Sequence, residues 1–280
     1  MSSTEMTAKE PLIRFVKRTD ISRPKMYLIR AVAIVLSLIV AAVVIVCVTG
    51  LNPIEVYKSM FDGAFSSSRR IWITIRDTMV LLCISIALAP AFKMKFWNIG
   101  AEGQMLVGGI VTAGIMIYFG NAVPTPVLIV IMLISSILIG AMWGLLPAIF
   151  KAYWNTNETL FTLMMNYVAI QLTSFFVAKW ENPFGSNTVG IINANTQGGW
   201  FPAIIGQPYL LNVIIVLVVM IGMYIYLGKS KQGYEVAVVG ESENTARYAG
   251  INVKWVIIRT MVISGALCGL AGFIGVAGVD

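Results

Sequence analysis

The chain alternates long apolar runs with short polar breaks. Runs with little or no charge occupy residues 31–51, 71–92, 98–119, 126–150, 159–178, 210–227 and 256–277. A helix needs about 20 apolar residues to cross the hydrocarbon core of a bilayer. The pattern predicts seven transmembrane helices, an all-α polytopic bundle. A membrane β-barrel would show alternating segments of about ten residues instead. The first run exceeds the ~7–15 apolar residues of a signal-peptide core and reads as an uncleaved span.

Composition removes the other classes. Of 280 residues, 58% are hydrophobic and 12% charged, against about a quarter charged in soluble proteins. Mean hydropathy is +0.83. A soluble globular enzyme, a disordered chain and a disulfide-rich module are excluded. Histidine is absent, which removes His-based triads and His-containing metal sites. Cys47, Cys83 and Cys268 are far apart in apolar stretches, form no CxxC pair, and read as packing residues. No metal site is expected. No GxxxxGK[ST] loop occurs, so the chain has no cradle for nucleotide phosphates. A membrane enzyme would lack a nucleophile or acid–base pair.

Charge sets the expected orientation. The net charge is +7. Residues 1–30 carry Lys9, Arg14, Lys17, Arg18, Arg23, Lys25 and Arg30. With that end cytoplasmic, fifteen of the 20 basic residues fall inside, and Lys58, Arg69, Arg70, Arg76 and Lys179 fall outside. The positive-inside rule then places the N-terminus in the cytoplasm. Residues 1–26 read as a basic cytoplasmic tail against anionic membrane lipid, and 27–280 as the membrane domain. The basic balance needs no nucleic acid. Residues 179–208 become an external loop, and 229–254 the long cytoplasmic loop.

Polar residues inside or beside the spans are the candidate functional positions. At the junction of the second and third spans lie Asn98, Glu102 and Gln104, among Gly100, Gly103, Gly108 and Gly109. One reading is a discontinuous helix lining a translocation path. The other is an interfacial helix start, with Asn98 as cap and Glu102 favoured by the helix dipole. Glu158, Thr162 and Asn166 follow at i, i+4 and i+8, on one helix face. They form either a path-facing stripe or helix–helix hydrogen bonds. Gly265 and Gly269 make a GxxxG pattern suited to close helix packing. In the loop 229–254, Ser242 suits a cap, Glu243 a first helical turn, and Gly250 a stop. The resulting two-turn helix is too short to stand alone and must dock. Ala246, Ala249 and Tyr248 supply an apolar edge for a groove.

These segments together resemble the integral membrane subunit of ABC-type importers, in the branch that carries simple sugars and nucleosides and is related to the branched-chain amino acid permeases. The likeness rests on Asn98-Ile99-Gly100-Ala101-Glu102-Gly103-Gln104, on Asn157-Glu158-Thr159 with Met165-Asn166-Tyr167, and on Gly240 with Ala246-Arg247-Tyr248-Ala249-Gly250-Ile251. It spans most of residues 50–280. The first string is similar to the nucleoside-type group. The resemblance implies a permease that moves a nucleoside or simple sugar by alternating access. It implies a second permease chain, identical or homologous, an extracytoplasmic solute-binding protein or lipoprotein, and an ABC ATP-binding subunit carrying ATP and Mg. It also assigns Glu241, Ser242, Glu243, Asn244, Ala246, Arg247, Tyr248, Ala249 and Gly250 to a coupling helix that docks on the ATPase. Family members continue past the position of Asp280, so the chain is expected to be incomplete at its C-terminus. The competing expectations are a branched-chain amino acid permease and an ion-coupled secondary transporter. The latter would need a titratable relay, for which only Glu102 and Glu158, both read as near the membrane edge, are available.

Overall fold

The computed structural model describes residues 22–278. Most of the expected basic tail, with Lys9, Arg14, Lys17 and Arg18, lies outside the described residues. The chain divides into two compact units after Ser66.

The first unit holds α1 (Arg23–Thr49) and α2 (Pro53–Phe65). No α1 residue is buried, as expected for a helix that is apolar all round and faces lipid. Gly50 ends it with a φ of 68°, its N–H donating to the Val46 carbonyl, the left-handed stop that glycine adopts without strain. The Asn52 side chain accepts from the Ile54 N–H and Pro53 opens α2. At 13 residues, α2 is too short to span. The hydroxyl of Tyr57 in α2 donates to the Leu38 carbonyl of α1, at 2.7 Å. The hydropathy pattern does not reveal α2; the Asn52-Pro53 cap and N1 pair is the signal that marks it.

The second unit contains α3 (Ser68–Lys93), α4 (Ala101–Phe119), α5 (Thr125–Trp154), α6 (Glu158–Trp180), α7 (Leu210–Lys229), α8 (Lys231–Glu241), α9 (Glu243–Tyr248) and α10 (Val253–Ala277). With α1, the helices α3 to α7 and α10 are long and apolar enough to cross a membrane, seven among the described residues.

The core is built around α10, which packs against α5, α4 and α3. Small residues decide that position. A Cβ on Gly269 would strike the Ser136 carbonyl of α5, one on Gly265 the Gly140 carbonyl, and one on Gly272 the Met105 carbonyl of α4. Gly108 of α4 meets the Gly269 backbone in the same way. Lipid is as apolar as Leu, so helix association here depends on close packing rather than on hydrophobic transfer. Cys83 and Cys268 are fully buried, while Cys47 is exposed on α1.

One end of this unit gathers the α3–α4, α5–α6 and α7–α10 connections. It carries Lys93, Lys95, Lys151, Lys229, Lys231, Arg247, Lys254 and Arg259 and is called the basic end below. At the opposite end, residues 181–209 fold over the bundle. Asn193 Nδ2 donates to the carbonyls of Met116 and Gly198, at 2.8 and 2.9 Å. The Phe201 N–H donates to Ala277, and its ring packs edge-on against Phe273 at 5.2 Å. A loop that reads as polar in sequence thus contributes Phe201 to the core.

Candidate functional site

The α3–α4 junction turns inward. After α3, residues 94–100 run between the helices, and Asn98 is 1% exposed. Asn98 Nδ2 donates to Gln104 Oε1 at 3.3 Å and to Ser264 Oγ of α10 at 3.5 Å. Its Oδ1 accepts from Gln104 Nε2 at 3.4 Å and from the Gly100 N–H at 3.1 Å. Gln104 is equally buried. This closed set satisfies the Asn98 amide and the Gly100 N–H near the start of α4, where the helix itself supplies no acceptor. Asn98 is not the cap residue: Gly100 holds that place.

Thr162 is fully buried. Its Oγ1 accepts from the Ile99 N–H at 3.2 Å and donates to the Glu158 carbonyl at 2.7 Å. Asn157 caps α6 through the Leu160 N–H, at 3.1 Å. Glu158 pairs with Lys151 of α5 at 2.9 Å, both side chains about four-fifths buried. These contacts tie the starts of α4 and α6 and the end of α5 into one polar seam.

Glu102 differs from its neighbours. Asn166 Nδ2 donates to Glu102 Oε2 at 3.1 Å. Gly103 permits this approach, since a Cβ there would sit 2.8 Å from Asn166 Oδ1. That oxygen is buried without a hydrogen-bond partner. Asn166 stands eight residues inside α6, about 12 Å along the helix. Glu102 itself stands in the first turn of α4, so this bond joins the start of α4 to a point about two turns along α6. The Glu102 residue is exposed on the bundle surface and has no ion pair among the described residues.

The loop at the basic end contains two helices. Ser230 caps α8 through the Gly233 N–H at 2.9 Å, and Ser242 caps α9 through the Thr245 N–H at 3.3 Å. Gly250, at φ 76°, follows the end of α9. Sequence reasoning anticipates the Ser242 cap and the glycine stop but does not name α8. On α8, Val236 and Val239 are buried and Gly240 lies against the Lys93 carbonyl and Met94. Glu235 receives both terminal nitrogens of Arg259 at 3.2 Å, clamping α8 to α10. The pair is 24 residues apart with no sequence signal linking them.

The apolar edge expected on α9 divides. Ala246 turns inward and is fully buried beside the α3–α4 junction and α10. Tyr248 is 93% exposed, and Glu241, Glu243, Asn244, Arg247, Ala249 and Gly250 are exposed with it, Ser242 less so. Docking of α9 on its own bundle thus uses Ala246, and a polar surface with one aromatic ring faces outward.

Seven spans, a polar seam joining the starts of α4 and α6 to the end of α5, and a capped helical loop held to the central helix define a membrane transport subunit. A family model for the permease component of the branched-chain amino acid transport system matches residues 70–280. The chain belongs to that family. It is 31% identical over 247 residues to the guanosine ABC transporter permease protein NupP of Bacillus subtilis, covering 88% of this chain and 70% of that one. It is 29% identical over 261 residues to the nucleoside ABC transporter permease protein NupB of Lactococcus lactis, with 90% and 71% covered. The glucose ABC transporter permease protein TsgB13 of Haloferax volcanii is 25% identical over 237 residues, with 81% and 62% covered. No solved structure matches. The chain is a multi-pass plasma-membrane permease subunit of the ABC importer class, a class that works with an ATP-binding subunit and a substrate-binding protein.

Proposed function

We propose that this permease carries a neutral, hydroxyl-bearing solute of the nucleoside class. The observation that carries the reading is the carboxylate of Glu102, which has no ion pair among the described residues and is open on the α4–α6 face. A charged side chain facing hydrocarbon is unfavourable, so that face belongs against water, solute or a second chain. No Lys or Arg occurs in α4, and the one in α6 is Lys179 in its last turn. A branched-chain amino acid is a zwitterion: its ammonium matches Glu102, but its carboxylate finds no cation along these two helices short of Lys179. A nucleoside brings donors and no charge. The names of the two relatives at 31% and 29% identity support the same class.

The basic end lies in the cytoplasm under the positive-inside rule. There α9 meets the ATPase through Tyr248, Asn244 and Arg247, and α8 passes its displacement to α10 through Glu235 and Arg259. ATP and Mg reside on the partner chain. A second permease chain completes the path, and the solute-binding protein delivers at the opposite end, over residues 181–209.

Uptake into proteoliposomes tests this, using the complex that co-purifies with the native protein. Labelled guanosine should accumulate when ATP is supplied on the cytoplasmic side, with ribose and leucine competing weakly. Uptake of leucine but not guanosine, or uptake that follows an ion gradient without ATP, would overturn it.

A further inference from the structure

We infer that Glu102 recognises the ribose 2′,3′-diol of the solute, and that the cavity one turn further along α4, against α6, holds the heterocycle. The inference rests on the nucleoside-class reading above and names the residue that reads the sugar.

Three acids lie in the spans of the second unit. Asp77 pairs with Arg76 at 2.9 Å and Glu158 with Lys151 at 2.9 Å. Glu102 alone has no cation among the described residues. Its one side-chain bond is the donation from Asn166 to Oε2. Asn166 therefore orients the carboxylate without neutralising it. An ionised carboxylate accepts on both oxygens and donates on neither, and hydrogen bonds to it are shorter and stronger than neutral ones. Two adjacent hydroxyls, each a donor, match its two oxygens. Carboxylates recognise ribose hydroxyls by this same chemistry in dinucleotide-binding sites.

The surroundings select what is attached to the diol. On α4, residues 102, 106, 109 and 113 share one face by helical spacing. One turn beyond Glu102 that face borders a cavity of about 240 Å³ lined by Leu106 and Gly109, by Phe176 and Trp180 of α6, and by Gly272 and Gly275 of α10. The Phe176 and Trp180 rings are 4.8 Å apart. The lining is almost wholly apolar. A simple sugar, polar over its whole surface, would gain nothing from such a slot. A flat aromatic base stacks on rings of this kind with about 1–3 kcal/mol per base. The slot is below the ~300–1,000 Å³ of sites that enclose a whole drug-sized ligand, consistent with its holding the base while the ribose stays at Glu102.

The test compares guanosine with 2′,3′-dideoxyguanosine as substrates of the reconstituted complex, wild type against Glu102→Gln and Glu102→Asp. The same binding protein is used throughout, so its own preference cancels in the ratio. The expected result is a kcat/KM preference for guanosine that falls about tenfold in Glu102→Gln, the size of one lost hydrogen bond to a charged group. Glu102→Asp should recover part of it. The amount of assembled complex recovered from the membrane and its melting temperature should match the wild type, which separates recognition from misfolding. An unchanged preference in Glu102→Gln, with normal amounts in the membrane, overturns the diol assignment and leaves the nucleoside reading standing. Equal loss of both substrates overturns it in favour of a structural role. Absence of nucleoside transport by the wild-type complex removes both readings together.

Discussion

Replacing Gly269 by Ala adds one methyl group at the crossing of α10 and α5. The new Cβ would meet the Ser136 carbonyl group and lie 3.1 Å from Gly140 Cα. Ordinary carbon contacts are about 3.5–4.0 Å, and every atom met is backbone, so no side chain can move aside. The helices must part or α10 must bend. Alanine is also the better helix former by about 0.8–1.0 kcal/mol, which works in the opposite direction. Gly222 of α7 is a matched control. It too sits inside a helix, and a Cβ there would meet nothing within 4 Å. The propensity gain is common to both substitutions and cancels in the difference. What remains is the overpacking cost, about 1–3 kcal/mol. Thermal unfolding of the purified complex in mild detergent, followed by loss of the monodisperse peak, measures it. At roughly 2–4 °C per kcal/mol for a unit of this size, Gly269→Ala should melt several degrees below Gly222→Ala. Gly222→Ala itself should equal or exceed the wild type. If the two variants melt together, or Gly269→Ala is the more stable, the close α10–α5 crossing is not what holds the bundle.

Two further outcomes follow from single contacts. The Lys151–Glu158 pair is 20% and 18% exposed, between the surface case of about 0–1 kcal/mol and the buried case of about 3–5 kcal/mol for removing one partner. Lys151→Met should cost about 1–2 kcal/mol, and a double-mutant cycle with Glu158→Gln should return most of it as coupling; additive losses would count against the pair. On α9, Tyr248→Ala should leave thermal stability within about 0.5 kcal/mol while reducing ATPase co-purification. Ala246→Leu should destabilise the subunit, since Ala246 is fully buried. The reverse pattern would mean that α9 packs the other way round.

Much of this architecture is legible in one dimension. A span must be about 20 apolar residues long, and that length constraint marks all seven spans, α1, α3 to α7 and α10. Caps are local too, so Ser242 before α9 and Gly250 after it can be read from neighbours in sequence. The GxxxG pair at Gly265 and Gly269 announces a close crossing, because only glycine lets two backbones meet. It does not announce the partner: Ser136 and Gly140 lie over a hundred residues earlier. Asn98 and Glu102 stand out as polar residues beside a span, yet Ser264, which completes the Asn98 set, carries no signal that a search along the chain would find.

Local sequence thus determined that the chain is a membrane helix bundle with a capped loop and a glycine-rich central helix. Hydropathy and capping act over one helix length, and their information is local. The tertiary structure decided the rest: that residues 94–100 turn inward and bring Glu102 to Asn166, that Ala246 faces the bundle while Tyr248 faces out, and that Glu235 and Arg259 join α8 to α10. Each of these depends on which helices share a seam. In lipid that choice is made by backbone close approach and by the pairing of buried polar groups, and both involve residues far apart in the chain.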